Sequence, residues 1–226
     1  MAEKLTHIGF IVDGNRRWAR SRGLPTREGH KHGYDKVQMV IEELNHTDIK
    51  FISFFIFSTE NWNRSAEEVS YLMALVDELM DQMTTKANQE NVRVIILGRP
   101  ENVQPKLWKR IMQAEASTKD NTGVTVCLCF NYGGQWEIAD AAKKAAAAGE
   151  TDWSPESFRK YIYRPEVPDL DLVVRTSGEE RTSGFQLWRA AYAELLFLEK
   201  HFPALEPEDV QAVLDEYHTR QRRFGK

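Results

Sequence analysis

Several features that define common protein classes are absent from this chain of 226 residues. No apolar run approaches the roughly 20 residues that span a bilayer. The opening residues, MAEKLTHIGF, lack the apolar stretch of a signal peptide. The formal net charge of -4 argues against a general nucleic-acid binder. These absences predict a cytoplasmic protein with no nucleic-acid partner.

Cysteine is also scarce, because the chain has only Cys127 and Cys129. They stand two positions apart in the apolar segment VTVCLCF, so both side chains would point to the same face of a strand. This spacing suits buried, reduced thiols better than a disulfide framework. No repeat or linker divides the sequence, and we expect a single domain over residues 1–226.

The two common glycine motifs of nucleotide-binding proteins are missing. A P-loop ends in Gly-Lys-Ser/Thr, whereas Gly14 is followed here by Asn15 and Arg16. Gly9, which has the spacing of the first P-loop glycine, lies inside an apolar segment, and the GxGxxG pattern is absent. The sequence therefore argues against both nucleotide sites.

Apolar strands and amphipathic helices alternate along the chain. We predict strands at 7–12, 51–57, 92–97, 124–130, 171–174 and 194–198, and helices at 28–45, 65–83, 105–117, from 135 and from about 207. Short apolar strands separated by helices indicate a parallel sheet that is covered on both faces. The predicted fold is therefore α/β, with a central, mostly parallel six-stranded sheet flanked by helices.

Three polar segments follow predicted strands: DGNRRW (13–18), STENWNR (58–64) and RTSGEER (175–181). Ligands of such sheets bind beyond the carboxyl ends of the strands. We therefore expect the three segments to meet in one site.

The first segment combines a carboxylate, a glycine and a cluster of arginines. Gly14 allows the backbone to approach a ligand closely, whereas Arg16, Arg17 and Arg20 are unfavourable at a helix start unless an anion lies between them. We interpret the segment as a phosphate site. The alternative is that Asp13 is a structural cap in a solvated first turn.

The third segment and the residues after it, RTSGEERTSGFQLW (175–188), offer a second phosphate site, because Arg175, Arg181 and Ser183 lie in this glycine-containing stretch. The alternative is a salt bridge between Arg181 and a neighbouring glutamate. Together with carboxylates at Asp13 and Glu194, two phosphate sites suggest a Mg²⁺-dependent reaction between two phosphorylated substrates. STENWNR can contribute hydrogen bonds there, or be a polar loop in which Trp62 fills a gap.

Five ordered motifs then resemble those of one family: HIGFIVDGNRRWAR, FSTENWNR, NYGGQWEI, DLVVRTSGEERTSGFQLW and AYAELLF. They resemble the cis-prenyltransferases, in particular the bacterial undecaprenyl diphosphate synthases and their short-chain relatives. The resemblance implies a homodimer with a hydrophobic tunnel between the sheet and the helices. It also implies Mg²⁺-dependent condensation of isopentenyl diphosphate with an allylic diphosphate, farnesyl or geranyl, to give cis double bonds.

The resemblance further assigns roles to residues at matching motif positions. Asp13 would be the Mg²⁺-associated carboxylate, Glu194 a second metal ligand and Asn61 a catalytic residue. The allylic diphosphate would lie among Gly14, Asn15, Arg16, Arg17, Trp18 and His30, with Ser58, Thr59, Glu60, Trp62 and Arg64 on the reaction-side loop. Isopentenyl diphosphate would bind Arg175, Arg181, Thr182 and Ser183, and the Arg223–Gly225 element would reach the partner subunit's site.

One position departs from the family pattern. An arginine often lies four residues before the histidine that matches His30, but this chain has Thr26 there and Arg27 one step later. We keep Arg27 as a candidate substrate ligand. For the tunnel walls we expect the strand 51–57 and the apolar stripe between Val69 and Met83, with Phe54, Phe55, Ile56 and Phe57 as candidates for limiting product length.

Three alternatives remain at this point. A short-chain synthase would carry the same motifs. A non-catalytic partner subunit would lack the aspartate motif, which this chain keeps at Asp13. A trans-prenyltransferase would carry DDxxD motifs, and the sequence has no Asp-Asp pair. A long polyprenyl product would also partition into lipid, so we expect a cytoplasmic enzyme that can contact the membrane peripherally through its product.

Overall fold

Six strands form one parallel sheet in the computed structural model, which describes residues 4–220. The strands are β1 (His7–Ile11), β2 (Phe51–Ser58), β3 (Arg93–Leu97), β4 (Thr125–Tyr132), β5 (Leu172–Thr176) and β6 (Glu194–Leu198). Their order is β3-β4-β2-β1-β5-β6, and every neighbouring pair is parallel. The predicted α/β fold is confirmed, and the sheet is entirely rather than mostly parallel.

Helices cover both faces of this sheet. They are α1 (Asn15–Ser21), α2 (Thr26–Asn45), α3 (Ala66–Gln89), α4 (Pro105–Ser117), α5 (Gly134–Ala147), α6 (Pro155–Phe158) and α7 (Pro207–Thr219). Short 3₁₀ segments lie at Thr59–Asn63, Arg159–Tyr161 and Phe202–Ala204. Among residues 4–220, no helix is both long and apolar enough to cross a membrane.

Two apolar cores lie on opposite faces of the sheet because side chains alternate along each strand. Ile8 and Phe10 of β1 belong to the larger core, which α2, α3, α4 and α7 cover. Ile11 belongs to the smaller core on the other face. Cys127 and Cys129 are buried in that smaller core as free thiols, as predicted. Burial raises the pKa of Cys127 to about 12, so this thiol is protonated at neutral pH.

Strand order brings the three polar segments to one edge of the sheet. β2, β1 and β5 are adjacent, with Ile11 aligned with both Phe55 and Arg175. DGNRRW follows β1 and STENWNR begins at the end of β2, while RTSGEER begins inside β5. The expectation that these segments meet at the carboxyl edge is therefore confirmed.

Candidate active site

The turn between β1 and α1 is held by backbone and hydroxyl contacts. The Asp13 carbonyl accepts a hydrogen bond from Thr176 Oγ1 at 2.7 Å and another from the Phe202 amide at 3.0 Å. Gly14 has φ 108°, a conformation that side-chain-bearing residues rarely adopt. The turn therefore directs the Asp13 side chain and α1 towards the edge where β2 and β5 end.

Arg175 connects Asp13 to the glycine-rich segment after β5. It is only 3% exposed, and its Nε and Nη2 donate to Asp13 Oδ2 at 2.9 and 2.6 Å. Its Nη1 donates to Ser183 Oγ at 2.9 Å and to the Arg181 carbonyl. One buried guanidinium thus fixes the carboxylate of the first predicted phosphate site relative to the second.

Two glutamates bridge arginines across this edge. Glu179 accepts hydrogen bonds from Arg17 at 2.7 Å and from Arg181 at 2.5 Å. Glu68 of α3 accepts from Arg16 at 3.1 Å and from Arg64 at 3.0 Å. Hydrogen bonds from Arg181 and Arg17 lower the pKa of Glu179, so its carboxylate is charged at neutral pH. The salt bridge between Arg181 and a neighbouring glutamate, which was the alternative to a phosphate site, is therefore present. Other charged side chains surround it at this edge.

These side chains surround a polar pocket of about 950 Å³. Its lining includes most of the predicted site residues: Asp13, Gly14, Asn15, Arg16, Arg17, His30, Ser58, Glu60, Asn61, Arg64, Arg175, Arg181 and Ser183. Six arginines face it, because Arg20 also lines the pocket; they come from α1, the loop after β2, β5 and the segment after β5. A pocket with this charge suits a ligand with several phosphate groups.

An apolar cavity of about 150 Å³ adjoins the polar pocket, between the larger-core face of the sheet and helices α2 and α3. The two spaces share five lining residues: Val12, Asn15, His30, Ile56 and Leu72. From this junction the cavity lining extends to Ala87 and Glu90 at the end of α3 and to Val92 before β3. The site therefore places an apolar space next to a cationic one.

Two buried polar atoms at the junction lack hydrogen-bond partners among residues 4–220: Asn15 Oδ1 and His30 Nδ1. Burial and the nearby charge of Arg64 lower the pKa of His30. Buried polar groups are usually satisfied, and exceptions point to a functional role or to a bound group. Both residues were predicted around the allylic diphosphate.

Comparison with known proteins decides the family. The family model described as "Putative undecaprenyl diphosphate synthase" matches residues 11–225. The chain belongs to this family. Isoprenyl transferases are similar over nearly their whole length: that of Rickettsia bellii is 39% identical over 98% of both chains, and that of Thermotoga maritima is 41% identical over 97% of this chain and 96% of its own.

Two solved structures of family members have the same fold. The lavandulyl diphosphate synthase from Lavandula x intermedia, in complex with dimethylallyl diphosphate, superposes with a TM-score of 0.93 at 30% identity over 98% of each chain. A "probable undecaprenyl diphosphate synthase" from Campylobacter jejuni gives 0.86 at 30% identity over 99% of this chain and 100% of its own. The protein is therefore a prenyltransferase.

Several residues that the resemblance assigned to the prenyltransferase site do not line the polar pocket. Trp18 is 7% exposed and packs between helices, with its ring 4.6 Å from His32 and the Arg22 guanidinium 4.5 Å from its centroid. Arg27 has a 64% exposed side chain that pairs with Glu28. Neither side chain lines the polar pocket, and the roles of Trp18 and Arg27 in substrate binding stay predictions.

The loop after β2 is also only partly directed inward. Trp62 donates from Nε1 to Asn131 Oδ1 at 2.7 Å and packs edge-on against Phe57, which agrees with the alternative that it fills a gap. Thr59 donates to the Glu60 carboxylate. Thr59, Trp62 and Thr182 are absent from the pocket lining, and their assigned roles in substrate binding stay predictions.

Glu194 lies away from Asp13 within one chain. It is the first residue of β6 and is aligned with Leu172, the first residue of β5, so it stands at the amino edge of the sheet. Its carboxylate accepts a hydrogen bond from Arg220 at 3.2 Å. The sequence motif could not reveal this separation, and the role of Glu194 as a metal ligand stays untested. Arg223 and Gly225 lie outside the described residues.

The pocket lining also includes residues that were not predicted as ligands, among them Arg20, Glu179 and Trp136. Arg20 was part of the basic cluster, and Glu179 lies within the GEER run. Trp136 belongs to the NYGGQWEI motif, and its ring lies 4.1 Å from the Arg99 guanidinium while 49% of the residue is exposed. Each of the three lies in a motif or cluster that is visible in the sequence, but no spacing between residues indicated that it would line the pocket.

Asp13 fits a magnesium ion that arrives with a diphosphate. Its side chain is 37% exposed, and both hydrogen bonds from Arg175 go to the same oxygen, Oδ2. Within residues 4–220, no group of three His, Cys, Asp or Glu side chains is arranged to hold a metal ion. Because Mg²⁺ is usually held by one or two carboxylates together with substrate phosphates, the donor set here suits an ion that the substrate completes.

Proposed function

We propose that this prenyltransferase catalyses the Mg²⁺-dependent condensation of isopentenyl diphosphate with an allylic diphosphate, giving a cis-polyprenyl diphosphate. The observation that carries the proposal is the junction between the cationic pocket and the apolar cavity. An allylic diphosphate has the matching form, with a charged head and an apolar tail. The bound dimethylallyl diphosphate of the lavandulyl diphosphate synthase is a ligand of this class.

The two ends of the polar pocket suggest an arrangement for the two substrates. The allylic diphosphate would lie against Asn15, Arg16, Arg17 and His30, because these residues border the mouth of the apolar cavity. Isopentenyl diphosphate would lie against Arg175, Arg181 and Ser183 on the other side of Asp13. The carboxylates of Glu179 and Glu68 would then release arginines to the incoming phosphates.

Departure of diphosphate from the allylic carbon builds negative charge on oxygen and positive charge on carbon. Arg16 and Arg17 would stabilise the leaving group as that charge forms. Asp13 would hold Mg²⁺, which would supply additional positive charge for the leaving diphosphate. Placing the isopentenyl double bond beside the allylic carbon contributes through positioning, for which intramolecular models indicate up to about 7–11 kcal/mol.

Asn61 would orient the reacting groups rather than accept a proton. Its Oδ1 accepts a hydrogen bond from the Ser58 amide at 3.1 Å, which fixes the loop at the pocket wall. An amide does not ionise in the relevant pH range. We assign the final proton to a diphosphate oxygen, which would lie in the same pocket.

Product length separates two candidate functions. An undecaprenyl diphosphate synthase would make a long carrier lipid for cell-wall synthesis, in a tunnel along α3 and the sheet. The cavity volume of about 150 Å³ favours the short-chain candidate, because a cavity of that size accommodates a group of about six carbons. A long product would require α3 to move away from the sheet.

The proposal includes a homodimer. Strand β6 forms an edge of the sheet, where Tyr192 and Leu195 are 76% and 38% exposed. No other strand within residues 4–220 pairs with the outer edge of β6, and exposed apolar residues beside such an edge suit contact with a second copy of the chain. The partner could then contribute its Arg223–Gly225 element to the site. Peripheral membrane contact would follow from a long product only.

The deciding experiment incubates purified protein with radiolabelled isopentenyl diphosphate, Mg²⁺ and, separately, dimethylallyl, geranyl and farnesyl diphosphates. Extension that EDTA abolishes supports the proposal, and the product size chooses between the two candidates. Folded protein that extends none of these primers would instead support a non-catalytic partner subunit.

A further inference from the structure

A hydrogen bond between Ser177 and His201 lies directly beneath the turn that carries Asp13. Ser177 Oγ and His201 Nδ1 are 2.8 Å apart. A Cβ added to Gly14 would lie 2.2 Å from Ser177 Oγ and 2.9 Å from His201 Nδ1. The hydroxyl and the imidazole together therefore form the surface on which the Gly14 backbone rests.

The backbone of Ser177 is strained in a way that glycine would relieve. Its φ is 77°, in the left-handed region that residues with a side chain rarely adopt. Its amide donates to the Lys200 carbonyl at 2.8 Å and the Gly178 amide donates to the Leu198 carbonyl at 2.9 Å, so pairing with the β6 segment imposes this conformation. A serine at such a position indicates that its side chain has a role.

The segment that carries His201 also contacts the Asp13 turn directly. His201 precedes Phe202, whose amide binds the Asp13 carbonyl, and Thr176 next to Ser177 binds the same carbonyl. Ser177 and His201 thus pack against Gly14, while their neighbours Thr176 and Phe202 donate hydrogen bonds to the Asp13 carbonyl. The Arg17 guanidinium also reaches the Ser177 carbonyl, at 3.4 Å.

We propose that Ser177 and His201 act as a positioning pair, which sets the direction from which Asp13 and Arg17 meet the allylic diphosphate. This inference rests on the proposed function. Neither residue lines the polar pocket, so neither would touch substrate in this arrangement. Loss of the pair would allow the glycine turn to shift, and small misplacements of catalytic groups reduce turnover more than binding.

Ser177→Gly gives opposite expectations for a structural and a positioning role. It relieves the strained backbone, so the melting temperature should stay equal or rise. If the hydroxyl positions the turn, kcat should nevertheless fall about tenfold while KM for each diphosphate changes less than about twofold. Asn102→Gly is the matched control, because Asn102 also has positive φ, 66°, is exposed, and lines neither the polar pocket nor the apolar cavity.

The histidine supplies a second, independent comparison. His201→Leu keeps an apolar group but cannot form the bond, whereas the amide of His201→Asn can reach the position of Nδ1. We expect His201→Leu to match Ser177→Gly in kcat, His201→Asn to recover most of the activity, and the double variant Ser177→Gly/His201→Leu to be no worse than either single variant.

Wild-type protein is assayed first, so the two conclusions fail separately. No extension by the wild type overturns the proposed function. A wild type that extends primers, together with a Ser177→Gly variant of unchanged kcat, overturns the positioning pair. Additive losses in the double variant, or a His201→Asn variant as slow as His201→Leu, would also overturn it.

Discussion

At the scale of single residues, the contact between Asp13 and Arg175 carries the strongest prediction. The negative charge of Asp13 holds Arg175 and would orient bound Mg²⁺, and Asp13→Asn removes that charge. We expect turnover to fall by at least about a hundredfold, as in losses of other transition-state contacts. Steady-state assays with saturating diphosphates measure it. Asp169→Asn is the control, because Asp169 is exposed and pairs with Arg159 away from the pocket; an equal loss there would contradict the assignment.

His7 predicts how stability depends on pH. It is fully buried, with Nε2 bound to Ser53 Oγ at 2.7 Å, and burial lowers its pKa to about 4. The His7 side chain of the unfolded state takes up a proton at about pH 6.5. The contribution of His7 to the free energy of unfolding is therefore complete above that pH and is lost as the pH falls towards 4. The loss is about 3 kcal/mol over that window.

Urea unfolding at pH 7 and pH 4 tests this contribution. The wild type should lose about 3 kcal/mol more than His7→Gln, which does not titrate. His46→Gln, at an exposed position, should follow the wild type. Parallel losses in wild type and His7→Gln would show that other groups cause the acid sensitivity.

Single residues also show where sequence reasoning reaches its limit. The motif pattern placed Asp13, Arg175 and Asn61 in one pocket, because the chain order of strands and loops fixes which ends meet. It could not separate Trp18 or Glu194 from that pocket. A helix rotates each successive side chain by about 100°, so Trp18 points between helices although its neighbour Arg17 faces the pocket.

At the scale of elements, a buried ion pair connects α5 to the chain around β5 and β6. Glu137 and Arg189 are both fully buried, with Oε1 and Nη1 2.8 Å apart, and Arg189 also donates to the Tyr163 and Arg164 carbonyls. Removing one partner of a buried pair leaves a charge unpaired and typically costs about 3–5 kcal/mol. We therefore expect Glu137→Gln to destabilise the protein by about that amount.

Chemical denaturation measures this cost directly. Glu156→Gln, at an exposed position in the first turn of α6, should change the free energy of unfolding by less than about 0.5 kcal/mol. A Glu137→Gln variant as stable as the wild type would show that the pair is not required to hold α5.

Element boundaries were predicted where a local signal exists. Ser65 caps α3, which begins at Ala66, with its hydroxyl accepting from the Glu68 amide, and Pro105 begins α4. The end of α3 was wrong by six residues, since it continues from Met83 to Gln89. Its last turns contain polar residues that carry no apolar period, and contacts such as buried Ala87 decide where the helix stops.

At the scale of the whole molecule, the apolar cavity predicts product length. Ala87 and Met83 line it towards the end of α3, away from the junction at His30. Ala87→Trp should shorten the longest product and Met83→Ala should lengthen it, because the growing chain stops where the walls meet. Ala116→Trp, on the exposed face of α4, is the control and should leave the product distribution unchanged. Chromatography of the dephosphorylated products measures this, and unchanged products from both Ala87→Trp and Met83→Ala would contradict the cavity's role.

Assembly predicts one further property of the whole molecule. If two copies meet along β6, a charge at Leu195 would be buried without a partner, and such burial is strongly unfavourable. We expect the wild type to sediment as a dimer and Leu195→Asp as a monomer, with at least about tenfold lower kcat because the partner's Arg223–Gly225 element is lost. Leu24→Asp is a matched control, since Leu24 is also 38% exposed but lies between α1 and α2. A fully active wild-type monomer would overturn the dimer and would place every group required for catalysis within one chain.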